Sequence, residues 1–506
     1  MKTTLRIVSV LILASMIFTM IACSKTDDPD AGAANTTAAN EGDDPADTSE
    51  GAAEPVEIMP ELPEKDFGGY EFSFLVRFNE GAHWAPWNAR DIYAESETGE
   101  PINDAVYARN RFVEQQFNCV IKEFSSAKHA ADLKKMVKAG DDTHSIYYAG
   151  LNELVVAALD GSLLNLEEDV PYVDLNAPWW NGNAAHNLSV GNQLFFAPSD
   201  LMVMDNDCTS AIVFNKQMIK DFGLDNPYDL VHSGKWTIDN LTKLARTVTG
   251  DVDGNGTFDE NDKYGFVSYR DAVLSLMHSS GGRIAKKDNN DLPYLSLGEQ
   301  HCYDALNKAF DLMYDPSSFN VHHLEGKYDA IYEVTEKMFM ENRSLFYWIL
   351  LHDVEKFRNM DADFGILPLP KFDESQTEYG HTVNQYHSHG ISIPVTADPE
   401  RTGIILEALT AKSKYTLQPA YYDVTLQRKI SRDEESREML DIIFSSRVYD
   451  IGAINNWGNY SWEIIAMTMK NNREIVSLYE KYAVKAQKDL DKTISNYEKI
   501  KDSKLG

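Results

Sequence analysis

Short apolar runs alternate with amphipathic helical segments from residue 66 to the end of the chain, and this alternation constrains the fold more than any other sequence feature. Residues 72–78, 120–124 and 145–149 have the composition of strands, and the segment 102–117 places its apolar side chains on one face of a helix. Strands joined through a helix in this way pair in parallel. The pattern therefore predicts an α/β fold.

The length of the chain sets the number of hydrophobic cores. The sequence has 506 residues, of which 43% are hydrophobic. About 450 residues of the chain follow residue 57, and a segment of this length is too long for a single hydrophobic core. We therefore expect two lobes of ordinary domain size.

The N-terminus has the features of an export signal. Two basic residues precede an apolar stretch at 7–21, which is short for a membrane span. The sequence MIAC at 20–23 resembles the bacterial lipobox, in which small residues precede a cysteine that becomes acylated. We predict that residues 1–22 are a lipoprotein signal peptide and that Cys23 is lipidated, which anchors the protein to the cell membrane on its extracytoplasmic side. The alternative is an ordinary cysteine beside a signal.

An acidic segment follows at residues 23–57. It consists almost wholly of Asp, Glu, Ala, Thr, Gly, Ser and Pro, which bury too little apolar surface to offset the entropy of ordering. The composition predicts a disordered stalk between the anchor and the folded chain.

Charge and cysteine content exclude several classes of partner. Lys and Arg number 47 against 79 Asp and Glu, so the formal net charge is −32, which argues against nucleic acid or an anionic membrane surface as the partner. The remaining cysteines, Cys119, Cys208 and Cys302, are odd in number and widely spaced. They indicate neither a disulfide scaffold nor a zinc site, and we expect them to be buried.

The segment 251–262 matches the twelve-residue calcium-loop pattern at every ligand position. Gly256 permits the sharp turn at position 6, and Asp262 stands where Glu is usual at position 12. The predicted ligands are Asp251, Asp253, Asn255, Thr257, Asp259 and Asp262. We expect a structural calcium ion here, with a polar turn that binds nothing as the alternative.

Motifs of common enzymes are missing from the sequence. It contains no G-x-S-x-G, no H-E-x-x-H and no phosphate-binding glycine loop. His381, His387 and His389 form a possible metal cluster, although a surface or ligand-contacting role fits their spacing better. With 79 acidic residues, a carboxylate pair for glycoside hydrolysis stays an alternative. The sequence thus favours a protein without catalytic activity over a lipid-anchored glycan-active enzyme or a calcium-dependent adhesin.

Several blocks, taken in order, resemble the bacterial extracellular solute-binding proteins of family 1, the sugar-binding class related to maltose-binding protein. The blocks are ETGEPINDAVY at 97–107, AGLNELVVAALDGSLLNL at 149–166, SAIVFNKQMIKDFGLDN at 210–226, WT at 236–237 and FGILPLPK at 364–371. The resemblance implies a two-lobed periplasmic-binding-protein-like fold with crossing strands between the lobes and a ligand cleft. It also implies capture of a small solute, a sugar or oligosaccharide, for an ABC-type permease.

With that fold, we assign residues 58–198 and about 391–445 to lobe 1, and about 199–390 and 446–506 to lobe 2. The resemblance and the predicted strand ends together locate the ligand contacts, because ligands of open α/β lobes meet the carboxyl ends of parallel strands. The predicted contacts are Trp84, Trp87, Asn152, Glu153, Asp205, Asp207, Trp348, Trp457 and Tyr460. For each aromatic residue, the alternative is packing in the core.

Overall fold

The computed structural model describes residues 57–81, 84–426 and 434–505. The predicted signal peptide, the lipidation of Cys23 and the stalk up to residue 56 lie outside the described residues. Among the helices described, none combines the length and the apolar character that crossing a lipid bilayer requires.

The strands follow the predicted positions closely at the start of the chain. They are β1 Tyr70–Arg77, β2 Cys119–Ser126, β3 Ile146–Gly150, β4 Ser210–Asn215, β5 Tyr264–Ser268, β6 Ala285–Lys287, β7 Pro293–Leu295, β8 Ser318–Asn320, β9 Ser344–Leu350, β10 Phe364–Leu367, β11 His381–Thr382, β12 His389–Ser392 and β13 Arg447–Val448.

The helices alternate with these strands. They are α1 Pro101–Phe117, α2 His129–Ala139, α3 Leu151–Leu159, α4 Gly182–Leu188, α5 Met204–Asp207, α6 Lys216–Asp221, α7 Pro227–His232, α8 Ile238–Val248, α9 Ala272–Ser279, α10 Gln300–Met313, α11 Ile331–Met340, α12 Pro399–Tyr415, α13 Leu417–Leu426, α14 Glu434–Ser445, α15 Ile451–Ile454, α16 Tyr460–Met469 and α17 Ile475–Leu505. Short 3-10 turns occupy Ala85–Trp87, Val321–Leu324, Leu351–Phe357 and Trp457–Asn459.

Local sequence explains several helix boundaries. Pro101 opens α1, where a missing amide hydrogen costs nothing, and Glu100 accepts the amide of Asn103. Thr237 caps α8 through Asn240 N at 3.3 Å, as the sequence predicts. These two helices therefore begin where a side chain satisfies an exposed amide.

The first sheet has the strand order β12-β3-β1-β2. Strand β1 pairs in parallel with β2 and β3, and β12 joins β3 in the antiparallel direction. The parallel pairing predicted for the first three strands is confirmed. Since these strands are parallel, the carboxyl ends of β1 and β3 lie at the same edge of the sheet.

The second sheet has the order β10-β4-β9-β5-β8. Strand β5 runs parallel to β8 and β9, whereas β4 is antiparallel to β9 and β10. The chain passes from one sheet to the other between Ala197, which bridges Ile391 of the first sheet, and Ser210 at the start of β4. It returns between β10 and β12, and β11 on that path pairs with β13.

The segment predicted to complete the first lobe makes contacts with both sheets' surroundings. Residues 391–445 were assigned wholly to lobe 1, and α12 and α13 do pack on α1 there. Helix α14 instead packs on β10, and its Leu440 and Ile443 share a core cluster with Ile366. The apolar face of α14 thus completes the core of the second lobe.

The C-terminal helix α17 is long and amphipathic, since Ile475, Leu478, Tyr482, Ala486 and Leu490 recur three or four residues apart. It packs against the turn at Trp457–Asn459 and against α16. Gly458 has φ +65°, and a Cβ atom there would lie 2.7 Å from Ala486 Cβ. Glycine is required at this contact because both the backbone conformation and the space exclude a larger residue. Cys119, Cys208 and Cys302 are buried and free, as predicted.

Candidate functional site

The candidate site lies where strand ends of both sheets face the crossing segments. Strand β1 ends at Arg77, β3 leads directly into α3, and β9 leads into the turn Leu351–Phe357. Arg77 Nη1 donates to Tyr386 O at 3.0 Å, which connects the end of β1 to the crossing segment before β12. Ligands of open α/β folds bind at such edges.

An aromatic cluster stands at this edge. The ring of Trp87 stacks on His387 with centroids 4.4 Å apart and lies 5.0 Å from His352, which follows β9. Trp84 lies 5.8 Å from His387, and 45% of its surface is exposed. The cluster joins the loop after β1 to both the second sheet and the crossing segment, and it presents an exposed indole face.

Polar groups line the adjoining edge at the start of α3. Glu153 Oε2 accepts the amide of Gly150 at 3.0 Å and lies 3.2 Å from His129 Nε2 and 3.7 Å from Arg77 Nε. Burial disfavours the charge of Glu153, but His129 and Arg77 outweigh it and hold the pKa of this carboxyl below its usual value. Asn152 Oδ1 is buried and has no hydrogen-bond partner among the described residues. The edge thus combines an ionised carboxylate with an available amide oxygen.

Asp205 and Asp207, which the sequence predicts as ligand contacts, each pair with an arginine in this structure. Asp205 Oδ2 lies 2.5 Å from Arg447 Nη1 and 3.3 Å from Tyr449 Oη, and it is almost fully buried. Asp207 accepts two hydrogen bonds from Arg90 Nη2, at 3.1 and 3.0 Å. Each carboxylate thus pairs with a partly buried arginine next to the crossing segments.

Trp348 is also more buried than a stacking platform would be. It sits on β9 with 1% of its surface exposed, and its ring meets Tyr269 edge-on at 5.5 Å. Its Nε1 has no hydrogen-bond partner in the described part of the chain, and the side chain lines a small cavity. The side chain is therefore covered by protein except where it borders this cavity.

Trp457 and Tyr460, which the sequence predicts as ligand contacts, lie in the core. Trp457 Nε1 donates to Thr493 Oγ1 at 3.0 Å, and Tyr460 Oη donates to Tyr479 O at 2.8 Å. Both side chains are buried beneath α17. A mixture of aromatic and amide residues suggested a binding loop, but the apolar face of α17 covers it.

The three histidines of the possible metal cluster point to different surroundings. His381 bonds to Leu369 N and Ser446 Oγ, and His389 stacks on Tyr148 at 5.0 Å. Burial lowers the pKa of both imidazoles to about 3, so they are neutral. Only His387 reaches the aromatic cluster.

The segment 251–262 forms a closed loop between α8 and β5. Gly256 has φ +78°, and Gly250 and Lys263 bridge the ends. Carboxylate oxygens of Asp251, Asp253 and Asp262 lie within 4.8 Å of one another. In this structure backbone amides of the loop donate hydrogen bonds to these carboxylates. Gly256 N, for example, donates to Asp251 Oδ2 at 2.8 Å.

The other three predicted ligands lie on the same loop. Asn255 Oδ1 accepts the amide of Thr257 at 2.6 Å, and Asp259 Oδ1 accepts that of Asn261 at 2.8 Å. Asp262 is fully buried, and its two oxygens accept Val252 N and Asp259 N, both at 2.9 Å. The donor set is therefore all oxygen, as a calcium site requires.

Sequence reasoning missed Arg77, Asp271, His352 and Tyr386. Arg77 ends β1, and Asp271 and His352 lie within three residues of the ends of β5 and β9, so the strand-end rule that found Trp84 and Glu153 applied to them as well. Tyr386 lies within the crossing segment, and no sequence signal marks it. Its position depends on the path of the chain between the sheets.

No protein-family model matches the sequence, and no curated protein matches it. Solved structures do. M. tuberculosis UspC is 13% identical with a TM-score of 0.53, over 83% of this chain and 100% of that one. A cyclo/maltodextrin-binding protein complexed with maltotetraose is 13% identical with a TM-score of 0.52, over 86% of this chain and 97% of that one.

A family 1 extracellular solute-binding protein from Bifidobacterium longum subsp. infantis is 12% identical with a TM-score of 0.50. It aligns with 85% of this chain and 100% of its own. At such identities the likeness concerns the fold. The two-lobed periplasmic-binding-protein-like fold expected from the sequence is therefore confirmed.

Proposed function

We propose that this chain is an extracytoplasmic solute-binding protein that captures a neutral sugar or oligosaccharide for an ABC importer. One observation carries the proposal: in a fold shared with solute-binding proteins, strand ends of both sheets meet at the cluster of Trp84, Trp87, His352 and His387. A solute that contacts both lobes there stabilises their closed arrangement.

The chemistry of this edge suits a carbohydrate. A sugar presents an apolar ring face and a rim of hydroxyl groups, so it needs an aromatic surface beside hydrogen-bonding side chains. Trp84 supplies an exposed indole. Asn152, Glu153 and Arg77 supply an acceptor amide, a carboxylate and a guanidinium nearby. The maltotetraose complex of one structural neighbour supports the same solute class.

We infer binding without chemical conversion. The structural neighbours with printed functions are binding proteins. Glu153 is held ionised by His129 and Arg77, so it is a poor proton donor for glycoside hydrolysis, which needs a carboxylic acid of raised pKa.

The test is a thermal-shift screen of maltotetraose, cellotetraose and xylotetraose, with tetraalanine as the peptide control. A sugar at a hundred times its Kd should stabilise the protein by about 2.7 kcal/mol. Mass spectrometry of the bound sugar should show it intact after prolonged incubation. Shortened products would establish a glycan-active enzyme instead, and stabilisation by the peptide alone would contradict the carbohydrate proposal.

The N-terminal sequence supports the membrane anchor and, with it, the permease partner and the extracytoplasmic location. Residues 20–23 precede an acidic segment that suits a tether. Cys23→Ala should release the full-length protein from the membrane fraction into the soluble fraction. A Cys119→Ala variant is the control, and continued membrane retention of Cys23→Ala would contradict the anchor.

The loop 251–262 is proposed to hold one structural calcium ion. Asp251, Asp253 and Asn255 would supply side-chain oxygens, Thr257 its carbonyl, and Asp259 and Asp262 the remaining oxygens. The convergence of three carboxylates on one point supports this assignment. The ion would neutralise the mutual repulsion of these carboxylates and fix the connection between α8 and β5.

A further inference from the structure

A small cavity lies at the inner end of the candidate site. It has a volume of about 20 Å³, enough for one water molecule or one hydroxyl group. Trp348 of β9, Asp271 before α9 and Tyr386 of the crossing segment are among its lining residues. Tyr386 precedes His387, which stacks on Trp87, so the cavity borders the chain segment that carries the histidine of the aromatic cluster.

Most polar groups around this cavity already have partners. Ser210 Oγ and Ser275 Oγ lie 3.0 Å apart and share a hydrogen bond. Thr382 Oγ1 bonds to His278 Nδ1 at 2.8 Å. These hydroxyls therefore shape the cavity without requiring a further partner.

Three lining groups differ from the rest. Gln385 Nε2 is a buried donor and has no hydrogen-bond partner among the described residues. Trp348 Nε1 is a buried donor without a partner among the described residues, although its ring is 99% covered by protein. Asp271 Oδ1 lies 3.9 Å from Arg270 Nε, which is beyond hydrogen-bond distance. Asp271 makes no side-chain cap to α9, and its side chain is 39% exposed. An unpaired buried donor carries an uncompensated desolvation cost, so an occupant that accepts from it gains binding energy.

The pairing of groups restricts what can occupy the cavity. Trp348 offers only a donor, and an ionised Asp271 offers only acceptors. An ammonium group has no acceptor for the indole, and a carboxylate has no donor for Asp271. A hydroxyl group both donates and accepts, and its oxygen matches the volume.

We propose that this cavity is a specificity pocket that receives one hydroxyl group of the bound sugar, which accepts from Trp348 Nε1 and donates to Asp271. The inference rests on the proposed function and adds an orientation to it. The hydroxyl enters at the inner end while the sugar ring faces Trp84. Sugars whose shape places no hydroxyl at that point lose both hydrogen bonds.

The experiment measures Kd by calorimetry for the tightest-binding tetrasaccharide of the panel named above. Trp348→Phe keeps an aromatic ring and removes the N–H, and Asp271→Ala removes the acceptor without removing a helix cap. Each change should raise Kd about tenfold. Because both groups meet one hydroxyl, the double variant should bind better than the product of the single effects predicts. Trp457→Phe, which removes an indole N–H in the core, should leave Kd unchanged.

A second measurement covers the case in which a variant folds poorly. In the wild-type protein, the indole ¹⁵N–¹H resonance of Trp348 should shift when the same tetrasaccharide is added, while that of Trp457 should not. The shift reports the new hydrogen bond directly.

The alternative outcomes are distinct. Normal affinity of Trp348→Phe, or two effects that simply multiply, would overturn the pocket and leave the proposed function standing. Loss of affinity in Asp271→Ala alone would indicate a cationic occupant and overturn the hydroxyl assignment. Failure of every tetrasaccharide to bind would overturn the proposed function and the pocket together.

Discussion

Trp84 differs from the other predicted aromatic contacts because it remains exposed. Its ring stands beside His387, whereas Trp348 and Trp457 are each 1% exposed. An exposed indole can stack on a sugar. Its removal by mutation should not disturb the packing of the core. The alternative of core packing therefore holds for Trp457 and Tyr460 and fails for Trp84.

Trp84→Ala should raise the Kd of the tightest-binding tetrasaccharide at least tenfold, or about 1.4 kcal/mol, and should leave the melting temperature unchanged. Calorimetry and thermal unfolding measure the two effects. Tyr294→Ala, which removes an exposed ring on β7, is the matched control. Equal affinities of both variants would show that Trp84 is only a surface residue.

Glu407 on α12 makes folding stability depend on pH. Its oxygens accept Trp179 Nε1 at 2.8 Å and Trp180 Nε1 at 2.9 Å, and the side chain is fully buried. Burial raises the pKa of this carboxyl from 4.5 to about 7 even though both indoles oppose the shift. The folded state therefore keeps a proton that the unfolded chain has already released.

It follows that stability falls as the pH rises from about 4.5 to about 7, because over this range the unfolded state binds fewer protons. The loss attributable to Glu407 is of the order of 3 kcal/mol, from a shift of about 2.5 units at 1.36 kcal/mol each. Urea unfolding at pH 5 and pH 7.5 should show a smaller pH difference for Glu407→Gln than for the wild type. An unchanged difference would place the pH dependence elsewhere.

At the scale of elements, the loop 251–262 is the motif whose sequence and geometry agree best. Its glycine adopts the left-handed backbone that the pattern requires, and Asp262 replaces Glu without leaving the cluster. The loop connects α8 to β5, an inner strand of the second sheet. A disturbance of the loop should therefore reach the stability of that lobe.

Calcium at a hundred times its Kd should stabilise the protein by about 2.7 kcal/mol, and chelator should lower the melting temperature accordingly. Asp251→Ala and Asp253→Ala should abolish the calcium response. Asp142→Ala removes an exposed acidic residue of the first lobe, and this control variant should still respond to calcium. A wild-type melting temperature that ignores both calcium and chelator would show the loop to be a polar turn.

Two elements depart from their sequence-based assignments. Residues 194–197 have strand composition but contribute only the bridge between Ala197 and Ile391. Residues 205–207 carry the polar side chains typical of a turn and lie in the short helix α5. A strand needs a neighbouring strand along its length, and the sequence does not show which neighbours are available.

At the scale of the whole molecule, an ion pair connects the two lobes beside the site. Arg90 belongs to the first lobe, because the adjoining residue Asp91 accepts a hydrogen bond from Tyr148 of β3. Arg90 Nη1 lies 3.4 Å from Glu355 Oε1, which follows β9 of the second. Both side chains are about one third exposed, so we expect this pair to contribute less than about 1 kcal/mol.

Glu355→Gln should therefore enlarge the radius of gyration of the sugar-free protein slightly, as measured by small-angle X-ray scattering, and raise Kd less than about fivefold. The sugar-bound forms of variant and wild type should have the same radius, because the solute itself bridges the lobes. Glu341→Gln, whose partner Arg343 lies in the same lobe, is the control. Identical sugar-free radii would show that the pair does not influence closure.

The sequence by itself determined the features that depend on local pattern: the parallel strands of the first sheet, the caps, the calcium-type loop, the long C-terminal helix and the two-lobed fold. Hydrophobic periodicity and turn chemistry act between residues close in the chain, so they are visible in one dimension. Only the tertiary structure decided that Asp205 and Asp207 meet Arg447 and Arg90, and that α17 covers Trp457. It also brought Trp348 and Asp271 to one cavity. Each of these outcomes joins residues tens to hundreds of positions apart, and burial and pairing at that range depend on how the lobes and crossing segments pack.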